Sequence, residues 1–275
     1  MENIRQRYGN YSLMDIMKIP SKWNRIFRQE VIRLLSDRNI IDKQFSDLEK
    51  LHLCVNKELF DYGPDVGHYA GLENRLTIQM YETDDVFSET YHKFLHDLKI
   101  ELGFDFYFQS TPTFRFHAPK SKNEGRFPEF HSDRQKGHPP EEINIWFSLT
   151  KNNSSNFYLI DKEKSNKWVE DYDSDYKKFG EVSYNSKCGV DKSFSERGFS
   201  LAKEVESTID DLYIFDSACI HTSVPRKEET RVSIDIRINP VEKFVDGYIG
   251  GGNMSAEFRP GGKFGYHRYS IGEIQ

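Results

Sequence analysis

Arg231-Val232-Ser233-Ile234-Asp235-Ile236-Arg237-Ile238 alternates polar and aliphatic residues without a break. A period of two is that of a β-strand, so Val232, Ile234, Ile236 and Ile238 share one face. Arg231, Ser233, Asp235 and Arg237 share the other. The aliphatic face calls for a core. Charged and hydroxyl groups on the second face of a central-looking strand call for a polar cavity. The stretch 143–150 repeats the pattern: Ile143, Ile145, Phe147 and Leu149 alternate with Asn144, Trp146, Ser148 and Thr150. Short runs rich in Phe, Ile, Tyr and Val at 104–108, 111–117, 156–160 and 212–215 read as further strands between turn residues. On 111–117, Thr113, Arg115 and His117 fall on one face and become candidates to line the same cavity.

The first hundred residues have a different period. Trp23, Ile26, Phe27, Val31 and Leu34 recur at three- and four-residue steps behind Ser21, which predicts a capped amphipathic helix to about residue 35. A second helix is expected over 45–59. A third, capped by Ser88, is expected through Tyr91, Phe94, Leu95, Leu98 and Leu102. The stretch 76–81 reads as either a short strand or a helix, and 61–71, with its Gly-Pro, as a loop. Such stripes are most often packing surface. Helices followed by an all-β segment imply a sandwich or barrel with a helical wall. The segment 161–208 is polar and charged, with Trp168, Tyr172, Tyr176 and Phe179 interleaved. It reads as a lid over a site or as a solvated excursion.

Composition narrows the function classes. The chain has 275 residues, 38 Lys and Arg against 44 Asp and Glu, and a formal net charge of −6. A mildly acidic chain is a poor match to the basic footprint of nucleic-acid binding. No window approaches the 18 or so apolar residues of a membrane span. The N-terminus shows no secretory signal pattern. Cys54, Cys188 and Cys219 are widely spaced and form no CxxC, which fits reduced thiols and a cytoplasmic location.

The chemistry concentrates in three places. His131-Ser132-Asp133 offers an imidazole and a carboxylate two residues apart, which an extended segment would project to one side. His221 follows 88 residues after Asp133, at the end of a strand-like run. Arg231 comes ten residues later, with Ser233 next on its face. Each piece alone has an ordinary explanation: HxD occurs by chance, and a lone His or Arg is usually a surface group. The joint order is far more specific. Two imidazoles and one carboxylate are the facial ligand set of non-haem Fe(II) oxygenases, which leaves positions for a bidentate co-substrate and O₂. A 2-oxo acid fits that set, and its distal carboxylate needs a cation such as Arg231, with the Ser233 hydroxyl beside it. The implied reaction couples oxidative decarboxylation of the 2-oxo acid to attack on a substrate C–H bond. His52, His68, His92, His96 and His138 match no such pattern and read as structural or exposed.

At these residues the chain resembles the Fe(II)/2-oxoglutarate-dependent dioxygenase superfamily, and within it the phytanoyl-CoA-dioxygenase-like branch that includes streptomycin-biosynthesis-type and cylindrospermopsin-type tailoring hydroxylases. The resemblance runs over about 104–275 and rests on 130–133, 142–150, 211–222 and 231–237. It implies a mainly β fold with α: a double-stranded β-helix, or jelly-roll, core over 104–240 with the 161–208 insertion. Helices at 1–103 would pack on that core, and 241–275 would form a C-terminal extension, all in one domain. It implies His131, Asp133 and His221 as iron ligands and as the catalytic centre. Arg231 and Ser233 would hold 2-oxoglutarate, and Asn144 would help. Thr113, Arg115, His117 and Trp146 are the candidate substrate residues. Family halogenases lack the metal carboxylate, so Asp133 favours hydroxylation, desaturation or ring closure. One departure is Asp210, where the family often has Gly, which concerns a turn. The acidic run at Glu170, Asp171, Asp173 and Asp175 favours a polar, cationic small-molecule substrate. The glycine-rich stretch 250–264 is expected to fold back on the core or help cover the site. Two other classes share these residues: a jelly-roll ligand-binding protein without turnover, and a zinc hydrolase.

Overall fold

In a computed structural model, described over residues 16–61, 74–109, 111–119, 129–136, 138, 140–151, 157–187, 192–206, 208–224, 228–241 and 266–268, the alternating stretch becomes strand β9 (Arg231–Pro240). It lies inside a seven-stranded sheet. Antiparallel neighbours on its two sides are β4 (Ile143–Ser148) and the pair β2 (Phe106–Gln109) and β3 (Thr113–His117). β7 (Asp211–Asp216) pairs with β4, and β1 (Met17–Pro20) covers β7. β10 (Tyr266–Arg268) pairs with β2 at the far edge. Three short strands, β5 (Phe157–Leu159), β6 (Lys203–Glu204) and β8 (His221–Ser223), form a second antiparallel sheet in the order β6-β5-β8. The architecture is mixed α and β built on antiparallel sheets.

Register explains the alternation. Ile145 lies opposite Ile214 on one side and Ile236 on the other, and Phe147 opposite Leu212 and Ile234, so all the aliphatic positions share a face. Helices α1 (Trp23–Asp37) and α4 (Asp85–Leu102) close that face. Their aromatic rings meet the sheet directly: Phe27 and Phe94 lie 5.6 and 5.9 Å from Phe147, and Phe87 lies 5.4 Å from Phe114. Polar anchors fix the angle of approach. Asn24 Nδ2 donates to the Ser148 and Asp211 carbonyls at 3.2 and 2.7 Å. Arg28 forms a buried bidentate pair with Glu49 at 3.0 and 2.8 Å and also donates to the Leu149 carbonyl. Asp210, in the turn before β7, accepts two bonds from Arg25, so that departure is a docking point for α1.

Several boundaries differ from the sequence reading. Ser21 accepts from the Trp23 amide at 3.1 Å, but the N-cap position of α1 is Lys22, whose side chain makes no capping bond. The cap of α4 is Asp84, not Ser88; its carboxylate accepts from the Phe87 amide at 2.8 Å, and Ser88 lies inside the first turn. Gly103, at φ 75°, ends that helix in the left-handed region. The expected helix over 45–59 breaks into a 3₁₀ turn, α2 (Leu51–Cys54) and another 3₁₀ turn, because Leu53 points to solvent and no continuous stripe exists. The ambiguous 76–81 stretch is helix α3 (Arg75–Met80), capped by Asn74. β1 carried no period long enough to be read.

The segment 161–208 folds as α5 (Lys162–Glu170), α6 (Tyr176–Lys187), α7 (Lys192–Leu201) and β6. It is no mere solvated excursion, since Trp168, Val169, Phe179 and Phe194 join Phe130, Ile160 and Ile220 in a buried cluster of its own. The expected loop at 61–71 and glycine-rich stretch at 250–264 lie, beyond Asp61, outside the described residues, as do His68 and Cys188. Among the described residues no helix is long and apolar enough to cross a membrane.

Candidate metal centre

The two sheets face each other through aromatic packing. Trp146 on β4 stacks on Phe157 of β5 at 4.6 Å, and Phe157 lies 6.0 Å from Phe215 on β7. At the margin of this packing His221 opens β8. Its backbone exchanges two hydrogen bonds with His131, N to O at 3.0 and 2.8 Å, forming an isolated antiparallel bridge. The imidazoles are thereby brought to a centroid distance of 4.4 Å. Asp133 does not continue an extended run. It begins a 3₁₀ turn (Asp133–Lys136), and its amide donates to the Ser217 carbonyl at 3.1 Å.

Ligand atoms of His131, Asp133 and His221 all lie within 4.8 Å of one another. Each imidazole is oriented by a backbone carbonyl: Nδ1 of His131 lies 3.0 Å from the Glu129 oxygen, and Nδ1 of His221 lies 3.0 Å from the Cys219 oxygen. A carbonyl only accepts, so Nδ1 carries the proton and Nε2 keeps its lone pair. Nε2 of His221 stands 4.0 Å from Asp133 Oδ1. Burial pushes the His221 imidazole down, against the pull of Asp133, which favours the neutral ring that a metal requires. Burial acts the other way on Asp133, raising its carboxyl. The Arg237 guanidinium is the largest charge opposing burial, and the group is held well below the usual carboxylate range. Two neutral imidazoles and an ionised carboxylate are a fitting donor set for a divalent first-row ion such as Fe(II).

The polar face of the large sheet leads away from this triad. Asn144 lies between Phe215 and Arg237, Trp146 between Tyr213 and Asp235, and Ser148 beside Ser233. Across β9, Thr113 faces Asp235, Arg115 faces Ser233, and His117 faces Arg231. Ser233 Oγ and both amide atoms of Asn144 are buried without a hydrogen-bond partner among the described residues. Buried polar atoms of this kind ordinarily have partners. Arg231 is fully buried at the inner end of the face. Burial, reinforced by Arg231 and Arg115, holds the His117 imidazole well below its ordinary value. Arg115 donates Nε to Asp235 Oδ2 at 3.0 Å, and both side chains keep about a quarter of their surface accessible, 27% and 24%. Accessible charged groups on an inner sheet face indicate open space there. Trp146 is committed to packing between the sheets, while Thr113 is fully buried beside Asp235.

The acidic run does not act as the sequence suggested. Asp171 pairs with Arg197 at 2.5 Å and Asp173 with Lys178 at 2.7 Å, and Asp175 accepts from the Lys177 amide at 2.8 Å at the start of α6. Asp171 and Asp173 are paired within the helical layer, so neither gives reason to expect a cationic substrate. Two buried residues were given no role by the sequence. Arg237 donates Nε to Asp133 Oδ2 at 3.0 Å and lies 3.4 Å from Glu142 Oε1. Glu142 in turn stands 3.0 Å from His138 Nδ1, so His138 is structural. The signal available was the presence of a second arginine on the face that carries Arg231.

No family model matches the chain. Streptomycin biosynthesis protein StrG of Streptomyces griseus is 36% identical over 85 residues, 31% of this chain and 41% of that protein. The chain therefore spans about two fifths of the length of the curated relative it matches. The crystal structure of EctD from S. alaskensis with bound Fe aligns over 92% of this chain and 82% of that one, with a TM-score of 0.51 and 14% identity. The chain shares that fold. The epimerase SnoN, in complex with Fe3+, alpha ketoglutarate and nogalamycin RO, aligns over 92% and 95% at 9% identity with a TM-score of 0.47.

Proposed function

We propose that the chain is an Fe(II)- and 2-oxoglutarate-dependent oxygenase acting on a small polar metabolite, on a double-stranded β-helix core. The observation that carries this reading is the triad: three donors converge, and both imidazoles are locked with Nε2 available. The bound iron of EctD, whose fold the chain shares, supports it. The partial match to StrG, a streptomycin biosynthesis protein, supports a step in natural-product biosynthesis. In this reading His131, Asp133 and His221 hold the iron. Arg231 receives the distal carboxylate of 2-oxoglutarate as a buried bidentate donor. Ser233 Oγ and the Asn144 amide, both without a hydrogen-bond partner among the described residues, hydrogen-bond the same molecule. Arg115, His117, Thr113 and Asp235 line the space beside it, and Trp146 fixes the wall. The helices over 162–201 form the cover of the site. When bound, iron with 2-oxoglutarate and O₂ supplies the oxidising chemistry. The chain's own groups orient the donors and balance the charge, and Phe157 and Phe215, 5.7 and 5.5 Å from the His221 ring, keep its flank dry.

Anaerobic titration tests this. Fe(II) followed by 2-oxoglutarate is expected to give a weak visible charge-transfer band. Arg231→Gln is expected to bind iron normally but to need about 10- to 100-fold more 2-oxoglutarate, the equivalent of one lost charge-assisted contact. Bound metal with no band at any 2-oxoglutarate concentration would instead point to a zinc hydrolase or a ligand-binding protein.

A further inference from the structure

The metal carboxylate is held from behind. Asp133 presents two oxygens: Oδ1 lies toward His221 Nε2, and Oδ2 accepts from Arg237 Nε at 3.0 Å. The arginine comes from β9, 104 residues away, and its side chain is buried, as is that of Asp133. Beyond it stands Glu142, 3.4 Å from the same Nε and fully buried, with His138 Nδ1 3.0 Å from its Oε1. The His138 amide also donates to the Asp133 carbonyl at 3.2 Å, closing the loop on itself. Asp133, His138 and Glu142 place ligand atoms within 4.8 Å of one another, the arrangement of a second cation site. The guanidinium already stands beside both carboxylates, so the positive charge that this group needs is covalently supplied.

We propose that Arg237 is a positioning residue that clamps Asp133 to one-oxygen metal ligation, with Glu142 and His138 as its backing. This rests on the reading of His131, Asp133 and His221 as an iron site. A guanidinium bonded to Oδ2 fixes the carboxylate plane and withholds that oxygen from the metal, so Oδ1 alone faces the imidazoles. A bidentate carboxylate would take up one more coordination position. The clamp therefore keeps open a place that a chelating co-substrate and O₂ need.

Co(II), a coloured stand-in for Fe(II), tests this without turnover. The single variant Arg237→Gln leaves two buried carboxylates facing each other and is at risk of unfolding. Arg237→Gln combined with Glu142→Gln removes one charge of each sign and keeps the balance. Wild type is expected to bind one Co(II) with visible ligand-field bands, and Glu142→Gln alone, which loosens the backing but keeps the clamp, to bind more weakly than wild type and more tightly than the double variant. The double variant is expected to melt close to wild type, yet to bind Co(II) about 10- to 100-fold more weakly with altered bands, the range typical of lost outer-shell support. Arg237→Lys, which keeps charge without a planar fork, is expected to fall between. A folded double variant with wild-type affinity and spectrum would overturn the clamp and leave the iron site standing. Failure of the wild-type protein to bind Co(II) or Fe(II) would overturn both.

Discussion

Gly198 provides a test in which helix propensity and packing predict opposite signs. It lies in α7, buried, under the ring of Phe130. A Cβ added there meets Phe130 Cδ2, Cε2 and Cγ at 2.3, 2.5 and 2.6 Å. The ring has nowhere to go: it is fully buried, 4.9 Å from Phe199 and 6.3 Å from Trp168. Replacing Gly by Ala in an open helix stabilises by about 1 kcal/mol. Overpacking a tight core costs about 1–3 kcal/mol, and a contact this short belongs at the upper end. Gly198→Ala is therefore expected to destabilise by about 1–2 kcal/mol net, lowering Tm by about 2–8 °C at ~2–4 °C per kcal/mol. The displacement should also travel, because Phe130 precedes His131 and the His131 backbone is bonded to His221. Co(II) affinity is expected to fall along with Tm. Thermal melts by circular dichroism and a Co(II) titration measure both. Shrinking the ring with Phe130→Leu in the same chain should soften both effects. A Tm equal to or above wild type would refute the packing argument, because propensity alone would then account for the result.

Two further outcomes follow from the N-terminal helices. Arg28→Met strands buried Glu49 without its bidentate partner and is expected to cost about 3–5 kcal/mol in urea unfolding, whereas Arg28→Met with Glu49→Leu should recover most of it. Asp84 accepts from Arg33 and from the Phe87 amide, and its carboxyl is held down to about 2, chiefly by the Arg33 bonds. A depressed folded value means its stabilisation is complete above the unfolded value near 4 and is lost as pH falls toward 2. Solvent screening at this exposed site limits the effect to about 1 kcal/mol. Asp84→Ala should therefore be destabilised by about that much at pH 7 and match wild type near pH 2 in denaturant midpoints; a pH-independent gap would contradict the assignment.

What the sequence disclosed follows from the range of its signals. Alternation is local, so the two faces of β4 and β9 and the shared position of Arg231 and Ser233 could be read directly. Helical stripes are local too, and both long N-terminal helices were legible, although Asp84 and Ser88 are equally good caps on paper and only register decides between them. Pairings between distant segments leave no periodic trace. Nothing in residues 17–20 announces a strand, because its partner Asp211–Asp216 supplies the ladder. His131 and Asp133 are two residues apart and their grouping is legible locally, whereas the approach of His221 depends on a backbone bridge across 90 residues. The charges over 170–175 looked available to a substrate because their partners, Arg197 and Lys178, lie in other helical turns. Arg237 was visible as a polar residue on the right face, but its contact with Asp133 spans 104 residues.

That contact also explains how two sheets can define one site. His221 belongs to the small sheet, and His131 is joined to it by an isolated backbone bridge. Arg231, Ser233 and Asn144 belong to the large one. A metal bound by the first group and a co-substrate held by the second meet correctly only if the sheets keep their relative position. Aromatic packing between Trp146 and Phe157 sets their separation but is tolerant of sliding, since stacked rings have no strong preference along the plane. Asp133 supplies the directional constraint. Its amide is bonded to Ser217 in the turn after β7, its carboxylate to Arg237 on β9, and the next residue, Arg134, bonds Asp216 at 3.0 Å. The carboxylate ligand is thus fastened to the large sheet while its free oxygen faces the imidazoles of the small one. On the proposed reading, loosening it would change the register between metal and co-substrate as well as the affinity for metal.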